Sequence, residues 1–323
     1  MNFRKVNILV ITPIKHINGV LSALKDFGNV TIIEEPSYNQ VFQVINEFDA
    51  IFTNPNKSNV FISEDLMKQG TNLKAICTAS TGTNHIDIES AKKLKIKVLS
   101  LTEKRRIINK ISSTAEHAFA LMMSSIRNIN TGWESVKSGK WNYLPFIGRQ
   151  INHLTIGIIG YGRLGKLFAR YSRSFGADIM IYDPYKEVKN KNYKQVSSST
   201  LLKDSDVISL HVHVTNETTK MINKNWLNKM KSDVLIINTS RGEIINENDM
   251  INFLENNPYS KYATDVISNE VKNKKESPFK NWCIKNPEQV LITPHIGGMT
   301  REAQEIAYNH AAKMLGEFSA KNK

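Results

Sequence analysis

Thr155-Ile156-Gly157-Ile158-Ile159-Gly160-Tyr161-Gly162-Arg163-Leu164-Gly165 is a short apolar run that passes directly into a G-x-G-x-x-G pattern. The glycines alone say little. With 16 Gly in 323 residues, that spacing arises by chance in about 4% of such chains, so its surroundings decide. The residues after it carry Leu164, Leu167, Phe168, Tyr171 and Phe175 at helical spacing and stop at Gly176. The next apolar run, Ile179–Tyr182, ends in an acid, Asp183, eighteen residues beyond Gly165.

A strand, a glycine turn, a helix and a second strand ending in an acid form the start of a dinucleotide-binding βαβ unit. Gly160 permits a tight turn, Gly162 lets the backbone approach a pyrophosphate, and Gly165 lets the helix pack close to the strand. The first N–H groups of the helix are left for the anion. Asp183 can accept hydrogen bonds from both adenosine ribose hydroxyls and repels a 2′-phosphate, which favours NAD over NADP. Two rivals share these residues. Gly160–Lys166 also fits G-x-x-x-x-G-K, but Leu167 stands where a nucleotide triphosphatase needs Ser or Thr for magnesium. The plainer rival is a tight strand-to-helix turn with no ligand at all, which the spacing to Asp183 argues against.

Working outward, apolar runs alternate with helix-period segments along the whole chain. After Thr155–Ile159 come Ile179–Tyr182, Val207–His211, Val234–Asn238, Tyr262–Val266 and Val290–Thr293, six strands and so enough for a complete Rossmann domain. Before it lie Ile8–Ile11, Val30–Ile33, Ala50–Thr53, Leu73–Ala79 and Val98–Leu101, with helical patterns at Val20–Phe27, Val41–Phe48, Ser63–Lys68 and Asp87–Leu94. Alternation of this kind means parallel sheets. A long helix is expected between the two series. Ser113 and Glu116 would form its capping box, and Ala115, Ala118, Phe119, Met122, Ile126 and Ile129 its apolar stripe. A last helix, about Thr300 to Phe318, has its own stripe, and Lys272–Lys275 reads as a polar loop. The fold class is therefore α/β, with two doubly wound parallel-sheet domains.

Composition narrows the function classes. With 41% hydrophobic and 23% charged residues, this is an ordinary globular chain large enough to need no staple. Cys77 and Cys283 have no partner at metal-ligand spacing, which argues against a zinc site or a disulfide framework and fits a reducing cytoplasm. Arg4 and Lys5 precede the apolar Val6–Ile11, but that run stops at Thr12-Pro13 and reads as a buried strand, not a signal peptide. No apolar stretch approaches the ~18–20 residues of a membrane span. The net charge of +13 raises a nucleic-acid reading, yet the lysines are scattered and no basic block alternates with aromatics. Steering of anionic substrates is the consequence to expect.

Three chemically capable residues follow three different strands: Arg241 after Val234–Asn238, Glu270 five residues past Asp265, and His295 after Leu291-Ile292-Thr293-Pro294. Ligands bind at the carboxyl ends of strands in open parallel sheets, so all three can converge near a bound nicotinamide. Hydride leaving the C2 carbon of a hydroxy acid must be matched by loss of the hydroxyl proton. A histidine, with an unperturbed pKa of ~6.5, suits that transfer in both directions. Glu270 would hold the ring in one tautomer and stabilise its cation. Arg241 offers a planar fork to a carboxylate and the C2 oxygen. Asp265 would accept a hydrogen bond from the nicotinamide carboxamide. Taken singly, each has a bland reading as a surface donor, a solvated loop acid or a satisfied loop histidine. Of the other histidines, read as structural or surface residues, His117 and His213 are the ones that can face the cleft. The basic Lys104-Arg105-Arg106 can be a solvated loop or a greeting for a phosphate-bearing substrate.

The sequence resembles the D-isomer-specific 2-hydroxyacid dehydrogenase family over essentially its whole length. The resemblance rests on Ser80-Thr81-Gly82-Thr83-Asn84-His85-Ile86-Asp87, Thr114-Ala115-Glu116-His117-Ala118 and the glycine segment Ile158–Gly165. It rests also on Asn238-Thr239-Ser240-Arg241-Gly242 and Thr293-Pro294-His295-Ile296-Gly297-Gly298. It is nearest to short, phosphoglycerate dehydrogenase-like members, since no regulatory segment is expected after the last helix. The resemblance implies a flavodoxin-like substrate domain of residues 1–108 plus 299–323 and a Rossmann NAD-binding domain of 109–298. It implies a catalytic set of Arg241, Glu270 and His295, with Ser80, Thr81 and Gly82 offering N–H groups to the substrate carboxylate beside Arg241. Cofactor contacts would come from Thr81, Thr114, Gly160, Gly162, Arg163, Leu164, Gly165, Asp183, Val212, Thr239, Asp265, His295, Gly297 and Gly298. A homodimer, a small 2-hydroxy or 2-keto acid partner, no nucleic acid, no membrane and no metal complete the expectation. The sequence departs from the family pattern at Val271 and His213, where Pro is usual, at Asn246, a common Asp, and at Asn84-His85, a common Asp-Asn. An NAD-sensing, corepressor-like binding protein is the alternative that the same fold allows.

Overall fold

The computed structural model describes residues 5–55, 60–270 and 277–321. Val271 and Lys272–Lys275, singled out in the sequence, lie outside them, as does Arg4. By contacts between residues the chain divides into two compact units, Met1–Ile111 with Gly298–Lys323, and Ser112–Gly297.

The first unit holds one five-stranded parallel sheet: β1 (Val6–Val10), β2 (Gly28–Ile32), β3 (Ala50–Thr53), β4 (Ala75–Thr78) and β5 (Lys97–Leu99). Their spatial order is β2-β1-β3-β4-β5, the flavodoxin-like winding. Both faces are covered. Ile8 and Val10 join a core with Val20, Leu24, Tyr308, Ala311 and Leu315, while Leu9 and Ile11 point into another with Val41, Ile45 and Leu66. Strands buried on both faces read as continuous apolar runs without alternation, and these do. The last helix, Arg301–Lys321, belongs to this unit and packs along Val20–Phe27.

The second unit holds a seven-stranded parallel sheet. Its strands are β6 (Thr155–Ile159), β7 (Asp178–Tyr182), β8 (Lys194–Gln195), β9 (Val207–Leu210), β10 (Leu235–Asn238), β11 (Lys261–Thr264) and β12 (Val290–Ile292). The order β12-β11-β10-β9-β6-β7-β8 winds outward both ways from β6. The reversal falls between β6 and β9, so the loops after these two strands diverge and leave a crevice at their carboxyl ends. The six-strand expectation therefore misses β8, a two-residue edge strand of exposed polar residues with no hydrophobic signature.

Three local expectations shift. The helix after the domain boundary is Ser113–Ile126, with Ser112 and not Ser113 at the cap position and no side-chain capping bond, so the Ser113–Glu116 capping box does not form. Ser113 is instead drawn into the helix, where its buried hydroxyl has no partner among the described residues. The stripe also stops at Ile126. Asn128 turns left-handed (φ 54°) and starts a separate helix, Ile129–Lys137, on which Ile129 is 57% exposed. Finally, β11 ends at Thr264, so Asp265 lies just past the strand and not within it as the run Tyr262–Val266 suggests.

Candidate active site

The glycine turn is built as its residue types require. Gly160 has φ 93°, a conformation that glycine adopts without penalty, and a Cβ there would stand 2.6 Å from the His211 carbonyl oxygen. At Gly165 a Cβ would stand 2.1 Å from the Gly160 carbonyl oxygen, so any side chain would push the helix Arg163–Ser174 off its strand. The turn is closed by Asp183, past the end of β7. One carboxylate oxygen accepts the Tyr161 N–H at 2.8 Å and the other accepts the Tyr185 N–H at 2.9 Å. Beside it, Val212 follows β9, and Thr239 follows β10 with a buried hydroxyl that finds no partner among the described residues. This cradle fits a dinucleotide: a glycine face, an acid at the second strand's end and an orphaned buried hydroxyl at the same sheet edge.

The proton-handling pair lies in the same unit. His295 Nδ1 and Glu270 Oε1 are 2.5 Å apart, and both side chains are largely buried, at 19% and 15% exposure. Left-handed backbone presents both: His295 itself has φ 55°, and Asn269, directly before Glu270, also has φ 55°. Left-handed non-glycine residues persist only where their surroundings over-determine them. Here the determinants are visible. Ser268 and Asn269 donate their N–H groups to Glu247 and Glu243 at 2.8 and 3.2 Å. The His295 turn is gripped by Asp265, which is 2% exposed. Its carboxylate accepts the Ile296 N–H at 2.8 Å, the Gly297 N–H at 2.7 Å and the Thr293 hydroxyl at 2.6 Å. His117, from the helix Ser113–Ile126, reaches in as well. Its Nε2 is 2.9 Å from the Thr293 hydroxyl and 3.4 Å from the Asp265 carboxylate. Burial works against the charge on Asp265, but hydrogen bonds from His117, Thr293, Gly297 and Ile296 outweigh it and hold its carboxyl below the ordinary aspartate range.

Arg241 follows β10 and leads into the 3-10 turn Gly242–Ile244. Asn238 holds this corner by donating to the Arg241 carbonyl at 2.9 Å. The Arg241 guanidinium donates to the Ser240 carbonyl at 2.6 Å and pairs with no carboxylate among the described residues. A half-buried cation without a counter-ion is suited to an anionic ligand.

In the first unit, Ser80, Thr81 and Gly82 follow β4. The Ser80 hydroxyl donates to the Gly82 carbonyl at 2.6 Å, the Thr102 hydroxyl donates to the Thr81 carbonyl at 2.9 Å, and the Leu101 N–H donates to the Ser80 carbonyl at 3.0 Å. The carbonyls are thereby satisfied, while the Thr81 and Gly82 N–H groups find no acceptor among the described residues. Gly298 belongs to this unit, whereas Thr114, Arg163, Leu164 and Gly297 belong to the second. His213 is exposed and its carbonyl accepts the Thr218 hydroxyl. Sequence reasoning missed Glu243, Glu247 and Thr293 as supports of the pair. Only His117, flagged as able to face the cleft, left a trace. Among the described residues no cluster of three metal-ligating side chains exists, and no helix is long and apolar enough to cross a membrane.

Comparison with known proteins agrees with this geometry. Residues 119–297 match the model of the D-isomer specific 2-hydroxyacid dehydrogenase NAD-binding domain. The chain is 35% identical over 263 residues to D-3-phosphoglycerate dehydrogenase of Bacillus subtilis, covering 80% of this chain and 47% of that protein. It is 32% identical over 271 residues to hydroxypyruvate reductase of Thermotoga maritima, covering 82% and 83%. Among solved structures, D-lactate dehydrogenase of Aquifex aeolicus in complex with NAD and lactic acid superposes with a TM-score of 0.80 at 27% identity, covering 97% and 95%. The chain belongs to the D-isomer-specific 2-hydroxyacid dehydrogenases. It spans about half the length of the phosphoglycerate dehydrogenases it matches in Bacillus subtilis and Synechocystis.

Proposed function

We propose that this protein interconverts a small D-2-hydroxy acid and its 2-keto acid with NAD, on a substrate of the phosphoglycerate, hydroxypyruvate or glyoxylate type. The observation that carries this reading is the His295–Glu270 contact of 2.5 Å in the unit that also holds the glycine cradle. Bound NAD would supply the nicotinamide that accepts or returns the hydride at C2. In the oxidation direction His295 takes the hydroxyl proton through Nε2, because Nδ1 is committed to Glu270, whose charge stabilises the imidazolium so formed. In reduction the same nitrogen returns the proton to the C2 oxygen. Arg241 neutralises the substrate carboxylate and polarises the C2 oxygen. Ser80, Thr81 and Gly82 contribute N–H groups to the carboxylate. Gly160, Gly162, Arg163, Leu164 and Gly165 receive the pyrophosphate, and Asp183 the adenosine ribose. Thr114, Val212, Thr239, Gly297 and Gly298 border the rest of the cofactor.

Turnover of NADH with glyoxylate, hydroxypyruvate, pyruvate, 2-oxoglutarate and phosphohydroxypyruvate tests the reading. Wild type should oxidise NADH with at least one of them, and His295→Ala should lose at least ~10²-fold in kcat while still quenching on NADH binding. Binding of NADH with no turnover on any 2-keto acid would favour the sensor reading instead.

We infer further that the protein works as a homodimer in the cytoplasm. The segment from Ile129 to Ile147 supports the first part: Trp133, Trp141, Tyr143, Leu144 and Ile147 are 59–91% exposed, and the helix Ile129–Lys137 buries none of its residues. Exposed apolar surface of that extent needs a cover, and a second copy of this chain is the cover proposed. A monomeric mass in equilibrium sedimentation would remove this part of the reading. The buried, unbridged Cys77 and Cys283 support the reducing compartment.

A further inference from the structure

We propose that Lys186 is a second cationic contact for the cofactor's pyrophosphate, held over the glycine turn by the side chain of Gln195. The inference rests on the dinucleotide reading above and assigns a residue that no glycine pattern contains. Gly160 and Gly165 are glycines because backbone crowds them, but Gly162 is different. A Cβ built there would meet no heavy atom within 4 Å apart from Lys186 Nζ, at 3.8 Å. Gly162 thus opens outward, as a residue over which an anion passes must, and the ammonium stands on that open side.

The placement of Lys186 is built, not accidental. It lies on the turn after β7, and Gln195 of the edge strand β8 pins that turn. Gln195 Nε2 donates to the Lys186 carbonyl at 2.8 Å and to the Asp183 carbonyl at 3.4 Å, while its Oε1 accepts the Val188 N–H at 2.9 Å. Asp183 adds the bonds to Tyr185 and Tyr161 that tie the same turn to the glycine loop. Nearby Lys166 is engaged elsewhere, with its Nζ 5.2 Å from the centre of the Tyr161 ring. Lys186 makes no ion pair among the described residues, so its charge is not spent on a carboxylate. A pyrophosphate carries two negative charges, and the helix N-terminus supplies only partial positive charge against them. An ammonium at that point is a direct complement, and being exposed it is sensitive to salt.

NADH, NADPH and ADP-ribose affinities, measured by fluorescence titration and competition at low and high salt, test the assignment in wild type, Lys186→Gln and Lys186→Arg. Lys186→Gln should weaken NADH and ADP-ribose alike, roughly tenfold at low salt, with a smaller loss at high salt and an unchanged thermal midpoint. Lys186→Arg should restore most of the affinity. Unchanged NADH affinity in Lys186→Gln, with turnover intact, overturns this assignment and leaves the proposed function standing. A loss confined to NADPH overturns it too, because the ammonium would then read a 2′-phosphate. If wild type binds neither NADH nor ADP-ribose, both readings fall.

Discussion

Asp183 and Asp265 are two aspartates past the ends of strands in the same sheet, and each accepts two backbone N–H groups from a nearby turn. Both look from sequence like acceptors for a cofactor. The structure treats them differently. Asp183 is half-buried and among the described residues carries only the Tyr161 and Tyr185 N–H groups, which leaves carboxylate lone pairs that would suit ribose hydroxyls. Asp265 is 2% exposed and also takes the Thr293 hydroxyl, with His117 close by. Its carboxylate is committed mainly to the turn that presents His295, with Oδ1 taking the Ile296 N–H and Thr293 hydroxyl and Oδ2 the Gly297 N–H. The same residue type thus keeps lone pairs spare at one turn and commits them to holding the other.

Removing the pin should have the largest effect. Asp265→Ala takes the acceptor from the buried Gly297 N–H and the half-buried Ile296 N–H and leaves the Thr293 hydroxyl with its His117 contact, at about 1–3 kcal/mol for a buried group left unsatisfied. The thermal midpoint should fall by on the order of 10 °C, and kcat at saturating NADH should fall at least ~10²-fold as the His295 turn relaxes. A variant that keeps wild-type kcat would break the contrast, since Asp265 would then hold nothing that catalysis needs. Asp183→Ala should act on binding instead: NADH affinity weakens by about tenfold, the preference for NADH over NADPH shrinks, and kcat at saturation changes little. Equal losses of kcat in both variants would show that the two aspartates do one job.

Acid acts on the glycine side through a buried imidazole. His211 supplies the carbonyl that faces Gly160. Its ring packs 5.2 Å from Phe168, and its enclosed Nδ1 has no partner among the described residues. Burial pushes the imidazole down to about 3 from 6.5. The unfolded chain therefore takes up a proton below pH 6.5 that the folded chain refuses until about pH 3. Stability is full above 6.5 and is lost as pH falls across that window, by roughly 2 kcal/mol at pH 5. Asp265 works in the same direction but only below the ordinary aspartate range, because its folded carboxyl lies lower still. Thermal melts at pH 7 and 5 on wild type and His211→Gln check the sign: the variant should lose less on acidification.

The parts of the site legible in the sequence are those with a local signal. The glycine spacing, the run ending at Asp183 and the acid, base and cation that follow strand ends all depend on residues a few positions apart. The supports are invisible for the opposite reason. Glu243 and Glu247 meet the Glu270 loop across 26 and 21 residues, and Asp265 meets Ile296 across 31. No periodicity marks such pairs. The edge strand Lys194–Gln195 escaped because an exposed two-residue strand has no hydrophobic pattern, and with it went the residue that pins Lys186.

Residue order alone was enough for two parallel sheets, for every strand but Lys194–Gln195 and for the chemistry available at the strand ends, because burial demands apolar runs that can be counted. Only the tertiary structure decided which acid is spare and which is committed, where the helix after residue 112 starts and stops, and which lysine stands over the glycine turn. Those outcomes depend on hydrogen bonds between segments far apart in the chain, and such bonds leave no mark on the order of residues within either segment.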